Sequence, residues 1–277
     1  MLIFKTKREV FEFITTNAGK RIGFVPTMGA LHQGHISLVR RSVAENDITA
    51  VSIFVNPIQF NNPADLEKYP RNIDSDIALL ENAGVDLVFV PSVEEMYPDA
   101  PTETYDFGEL GSVMEGAFRP GHFNGVAVVV RRLFDIVQPT KAYFGEKDYQ
   151  QLLIIRELVK QINSHVEIIA CPIDRENDGL ARSSRNLRLT DEMRRTAPFI
   201  YQQLLKARSM AVNHTAQEIK EIIEKSFEEH PLLKLEYFTI ADGQTLQSID
   251  GAVPENAYAF VVAFAGDIRL IDNIRLI

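Results

Sequence analysis

Hydrophobic residues along this chain recur in two patterns. Short, near-continuous apolar runs, such as AVSIFV within 48–56 and VDLVFV within 85–91, suit strands buried on both faces of a sheet. Runs of the same kind fall at 21–27, 141–145 and 166–173. Between them the spacing is helical, over 6–18, 34–46, 72–83, 124–138 and 148–163. In the last of these, Leu152, Leu153, Ile155, Leu158, Val159 and Ile162 trace one apolar face. Strands alternating with helices predict right-handed βαβ crossovers and an α/β fold built on a doubly wound parallel sheet. Ligands in such sheets bind beyond the carboxyl ends of the strands.

The pattern changes after about residue 175. Residues 176–189, ENDGLARSSRNLRL, are polar and basic and read as a mobile loop. Helices are expected over 190–211 and 215–229, followed by strands at 234–241, 257–264 and 267–272 with no helices between them. Consecutive strands of this kind predict an antiparallel sheet. The expected division is therefore a doubly wound domain over 1–175 and a smaller α+β C-terminal domain over 176–277.

The 277 residues are 45% hydrophobic and 24% charged, as in ordinary globular chains. No apolar run approaches the roughly 20 residues that cross a bilayer. The N-terminus, MLIFKTKREVFEF, lacks a signal-peptide core. A single cysteine, Cys171, excludes internal disulfides and thiolate metal clusters, and a cytoplasmic location is expected. The net charge of −9 argues against a nucleic-acid partner, which needs many phosphate contacts. It does not argue against a small anion, because Lys147 and the group Arg182, Arg185 and Arg188 supply local positive charge.

The candidate chemistry centres on RIGFVPTMGALHQGHISLVRRS, residues 21–42. A strand turns through Thr27-Met28-Gly29-Ala30 and delivers His32 and His35 to the start of an amphipathic helix. Helix N-termini attract anions, and two imidazoles there make a site for a polyphosphate. Four other segments belong with it. SIFVNPIQF ends a strand with the neutral amides Asn56 and Gln59; RPGH, from Arg119 to His122, opens a valine-rich helix. GEKD places Gly145, Lys147 and Asp148 at a strand end, and DGLARSSRN offers two serines and an arginine to a triphosphate. Taken singly, each has a plainer reading as a turn, a helix cap or a solvated basic loop. There is no Gly-x-Ser-x-Gly elbow, Walker A motif or dinucleotide fingerprint. What remains is a nucleotidyl-transfer site, with a carboxylate or a phosphorylated alcohol as acceptor, or a nucleotide-sensing protein on the same fold.

The motifs PTMGALHQGH, VSIFVNPIQF, EKYPRN, RPGHFNGV, FGEKDYQQ, DGLARSSRN and RLIDN resemble, over nearly the whole chain, the pantothenate synthetase (pantoate–β-alanine ligase) family. His-x-Gly-His alone indicates only the wider nucleotidyltransferase superfamily. The resemblance implies a Rossmann-like N-terminal domain, a smaller closing C-terminal domain and a homodimer. It also implies two half-reactions: ATP and pantoate give pantoyl adenylate and pyrophosphate, and the β-alanine amine then displaces AMP. Mg²⁺ is implied as the cofactor accompanying ATP. His32 and His35 correspond to the phosphate-contacting pair, His35 at the proton-donor position, and Met28 lines the ATP entry. Gly29, Ala30, Leu31, Gln33 and Gly34 complete that loop. Gly145, Glu146, Lys147 and Asp148 match the nucleotide-binding segment, with Lys147 on phosphate and Asp148 on ribose. Ser183, Ser184 and Arg185 match the closing loop; Gln59, Gln151 and Asn56 match the pantoate and β-alanine site; Asp76 matches a magnesium contact. The chain departs from the family pattern at Arg182, usually Met or Leu; at Asp174, usually Val, in the adenine-contacting segment; and at Ser75, often acidic.

Overall fold

Strands β1 (Leu2–Phe4), β2 (Ile22–Thr27), β3 (Ile48–Ile53), β4 (Leu87–Phe89), β5 (Lys141–Gly145) and β6 (Glu167–Cys171) form one all-parallel sheet in a computed structural model that describes residues 1–277. Their order is β1-β4-β3-β2-β5-β6. Counted from β2, this is the 3-2-1-4-5 winding of a Rossmann-like sheet, extended at one edge by β1. The direction of winding reverses between β2 and β5, the place where such sheets bind ligands.

The period-two alternation of each strand builds a core on either face. Phe24, Ala50, Leu87, Ala142 and Phe144 pack with Val10, with Val126, Val130 and Leu133 of the helix His122–Val137, and with Leu152, Ile155 and Leu158. Their neighbours Val25, Val51, Val88, Tyr143 and Cys171 face the other way, against Ile36, Val39 and Leu80. The helix Gln33–Glu45 is thus seated on the sheet by Ile36 and Val39, which fixes where its first turn emerges.

The chain divides into two compact units. One comprises Met1–Glu146 and Gln150–Pro172; the other comprises Lys147–Tyr149 and Ile173–Ile277. In the second, β7 (Leu233–Asp242), β8 (Ala257–Ala265) and β9 (Ile268–Arg275) form an antiparallel sheet in that order. Helices Phe199–Met210 and Ala216–Glu228 contribute Ile200, Leu204, Ile219 and Ile223 to its core. The expected helix over 190–211 is in fact two, Asp191–Thr196 and Phe199–Met210. Pro198 lies between them and has no N–H to continue the ladder. Strand β1 and the short helices Pro63–Glu67, Val93–Met96 and Glu115–Phe118 were not foreseen. No helix is long and apolar enough to cross a membrane.

Candidate active site

In the first unit, β2 ends at Thr27 and the chain turns through Gly29 and Ala30, both left-handed with φ of 79° and 50°. The buried carboxylate of Asp76 accepts the N–H groups of Ala30 (2.8 Å) and Leu31 (2.7 Å). Burial pushes the Asp76 carboxyl up, and the two amides oppose that shift. His32 then caps the helix Gln33–Glu45, and His35 occupies its third position. The two histidines form a reciprocal cap: Nδ1 of His32 accepts the Gly34 N–H at 3.2 Å, and Nδ1 of His35 accepts the His32 N–H at 3.3 Å. A nitrogen that accepts carries no proton, so this network assigns the ring proton of each neutral imidazole to Nε2. The rings lie 4.1 Å apart, centre to centre. Two Nε2–H donors therefore stand at a helix N-terminus, a place suited to an anion.

Beyond β3, Asn56 and Gln59 are both buried. The Asn56 amide donates to Gln59 Oε1 (3.0 Å) and to the Gly125 carbonyl (3.2 Å), while Tyr97 donates its hydroxyl to Asn56 Oδ1 at 2.8 Å. Gln59 Nε2 points at the Met28 sulfur, 3.1 Å away. A thioether is a weak acceptor, so a carboxylate or hydroxyl arriving there is a better partner for that amide. The cluster is supported from below by His122, whose Nδ1 donates to the Gln59 carbonyl at 2.8 Å while Nε2 meets the Arg119 guanidinium at 3.1 Å. Gly125 is indispensable here, since a Cβ would stand 2.6 Å from the Ile58 carbonyl oxygen. The fold therefore brings Met28, Asn56, Gln59, His32 and His35 onto the segments that leave β2 and β3.

Gly145 closes β5, Glu146 opens the 3-10 turn that follows, and the space beside Gly145 is open within 4 Å. Of the two glutamines that follow, Gln150 is structural. Its amide donates to the Leu110 and Val113 carbonyls, both at 2.9 Å, and its oxygen accepts from Glu115 N–H at 3.0 Å. Gln151 is only half-buried.

The second unit holds the remaining candidates. Lys147 Nζ lies 3.6 Å from Asp148, and the Lys147 carbonyl accepts from the Asn273 amide at 2.9 Å. The neighbouring Asp272 is buried and grips Arg175 bidentately at 2.6 and 2.9 Å. Arg175 also covers the Tyr201 ring, 3.8 Å from its centre. Burial works to raise the Asp272 carboxyl, and Arg175 works against it. The terminal RLIDN run is thus a brace: Asp272 holds the start of the Ser/Arg segment, and Asn273 holds Lys147.

That segment is tied to itself. Arg175 and Ala181 form an isolated antiparallel bridge, and Arg182 N–H donates to the Asp174 carbonyl at 3.0 Å. The Arg182 side chain reaches Glu176 at 2.8 Å and Asp174 at 3.1 Å. Two departures from the family pattern, Arg182 and Asp174, are therefore partners, and the charge of Arg182 is absorbed within the loop. Ser183 caps the short 3-10 turn Ser184–Arg188 by accepting the Arg185 N–H, and Ser184 is buried. Tyr97 and Arg175 carry no mark in the sequence motifs, and Gln150, Asp272 and Asn273 lie within quoted motifs without an assigned role. RPGH and RLIDN had signalled His122 and the Asp272–Asn273 pair, whereas nothing near Tyr97 marked it.

A family model described as pantoate-beta-alanine ligase matches residues 2–275. The chain belongs to the pantoate–β-alanine ligase family. A protein named pantothenate synthetase from Bacteroides thetaiotaomicron is 55% identical over 259 residues, covering 93% of this chain and 92% of its own. A crystal structure of the Thermus thermophilus pantothenate synthetase superposes with a TM-score of 0.94 at 44% identity, covering 100% of this chain and 99% of that one. A Francisella tularensis pantoate–β-alanine ligase, described as complexed with βγ ATP and β-alanine, is 37% identical with a TM-score of 0.84, covering 100% and 98%. Membership makes this chain an amide-forming ligase, on a fold that agrees with the winding described above. No group of three or more His, Cys, Asp or Glu side chains is placed to hold a metal ion. Those residues therefore do not fit a resident metal enclosed by protein ligands.

Proposed function

We propose that this chain condenses (R)-pantoate with β-alanine, driven by ATP, through a pantoyl-adenylate intermediate. The observation that carries the reading is the reciprocal His32–His35 cap at the end of β2, in a chain of the pantoate–β-alanine ligase family. The pantoate carboxylate is ionised at neutral pH and needs no general base. One of its oxygens attacks the α-phosphorus, and the bond to the bridging oxygen breaks as pyrophosphate leaves. Nε2–H of His32 and His35 meets the charge growing on the phosphate oxygens, which is the interaction that lowers the barrier. In the second half-reaction the β-alanine amine attacks the acyl carbon, AMP departs, and the amine loses its proton.

Gln59, with Asn56 holding its oxygen, and Gln151 orient pantoate and β-alanine. Lys147, Ser183, Ser184 and Arg185 bind phosphate, Asp148 the ribose, and the 28–35 and 145–148 segments, with Asp174 and Arg182, frame the nucleotide. Mg²⁺ would accompany ATP, held by substrate phosphates and water and not by an all-protein cage, and would supply charge neutralisation at the phosphates. A cytoplasmic homodimer completes the reading, supported by the family resemblance.

Exchange of labelled pyrophosphate into ATP tests the first half-reaction. It is expected only when pantoate is present, and β-alanine is not required for it. Exchange without pantoate, or none with it, contradicts the proposal.

A further inference from the structure

We propose that Asp76 is a positioning residue for the histidine pair, a buried carboxylate that sets the loop between β2 and the helix Gln33–Glu45, and not a ligand of magnesium. The inference rests on the function proposed above. Asp76 is 2% exposed, and each of its oxygens receives one backbone amide of the loop: Oδ2 from Ala30 at 2.8 Å and Oδ1 from Leu31 at 2.7 Å. These are the last two amides before His32.

The loop needs such a hold. Ala30 has a φ of 50°, a left-handed conformation that a residue with a Cβ rarely adopts without support. Gly29 leaves the passage open, since a Cβ there would stand 3.0 Å from Asp76 Oδ2. The carboxylate itself is rigidly mounted. Asp76 lies in the first turn of the helix Ile73–Asn82, its N–H donates to the Asn72 carbonyl at 3.0 Å, and the Asn72 side chain caps that turn. Magnesium asks for near-octahedral oxygen ligands, whereas both Asp76 oxygens already accept loop amides and Asp76 belongs to no group of three or more His, Cys, Asp or Glu that could hold a metal ion.

The consequence is geometric. With the Ala30 and Leu31 amides released, His32 and His35 lose the fixed approach to their helix, and misplacement of catalytic groups by about 1 Å costs on the order of 100-fold in rate.

The test compares wild-type protein with Asp76→Asn in pantoate-dependent pyrophosphate exchange, over a titration of Mg²⁺, with and without His35→Ala. In parallel, nuclear magnetic resonance follows hydrogen exchange at the Ala30 and Leu31 amides. In the wild type both amides exchange slowly. In Asp76→Asn they lose protection, kcat falls roughly 10- to 100-fold, and the Mg²⁺ concentration giving half-maximal rate stays where it was. In the His35→Ala background the substitution adds little, because its effect runs through the histidines. A shifted Mg²⁺ midpoint with unchanged amides, or a full additional loss on His35→Ala, overturns the inference. Fast exchange at Ala30 and Leu31 in the wild type also overturns it, even where Asp76→Asn does not fold. If wild-type exchange shows no dependence on pantoate, the proposed function fails instead, and the amide measurement still reads the loop.

Discussion

Two side chains separated by two residues form the reciprocal cap on which the proposed chemistry rests, and backbone amides fix their Nδ1 atoms. His32 and His35 each accept a peptide N–H at Nδ1, which assigns the ring proton of the neutral imidazole to Nε2. His35→Ala removes one donor to the transition state and is expected to lower pantoate-dependent exchange on the order of 10²–10³-fold. Its cost to the helix cap is only about 1 kcal/mol, so the far-ultraviolet dichroism is expected to be retained. Wild-type exchange in this variant contradicts the role of His35. A second expectation concerns Arg182, which sits between Asp174 and Glu176. Arg182→Met alone leaves Asp174 facing Glu176 without the cation. Adding Asp174→Val is expected to recover part of the loss, with a coupling of roughly 0.5–1 kcal/mol, the range for a partly exposed pair. Thermal melts of the two single variants and the double variant measure it, and strictly additive effects sink the pairing.

The helix Gln33–Glu45 links this site to the opposite end of the sheet. Its last residue, Glu45, accepts from Arg41 at 2.9 Å, from the Tyr143 hydroxyl at 3.0 Å and from Lys141 at 3.2 Å. The Arg41 hydrogen bond foremost holds the Glu45 carboxyl down, at about 2 against an ordinary 4.5. A carboxyl depressed in the folded state stabilises above its unfolded pKa, and that contribution is lost as pH falls through the folded value. The melting temperature of the wild type is therefore expected to exceed that of Glu45→Gln at pH 6–7, with the gap closing between about pH 4.5 and 2. A gap that persists at the acid end contradicts the anchor.

Elements like this helix were legible because apolar spacing is a local signal, and the strands that became β2 to β9 announced themselves in the same way. β1 was hidden by its length of three residues and by the exposed Leu2 and Ile3. The histidines and amides of the site were visible as residue types. Their supports were not: Asp76 reaches Ala30 across 46 positions, and Tyr97 reaches Asn56 across 41. Such pairings are fixed by tertiary packing, which no spacing rule encodes.

At the scale of the molecule, strand order decides where the chain leaves the sheet. Parallel winding reverses between β2 and β5, and the nucleotide-binding candidates 28–35 of the first unit follow directly from β2. The second unit, with its own core, presents Lys147 and the Ser/Arg segment on a frame locked by Arg175, Asp272 and Asn273. The most direct test follows both half-reactions in one experiment. The protein is incubated with ATP, Mg²⁺ and pantoate, products are quantified by mass spectrometry, and β-alanine is then added. The expected result is pyrophosphate and enzyme-bound pantoyl adenylate before the addition, with AMP and pantothenate in equal amounts after it. AMP formed equally with β-alanine withheld, or no dependence on pantoate, would contradict the account.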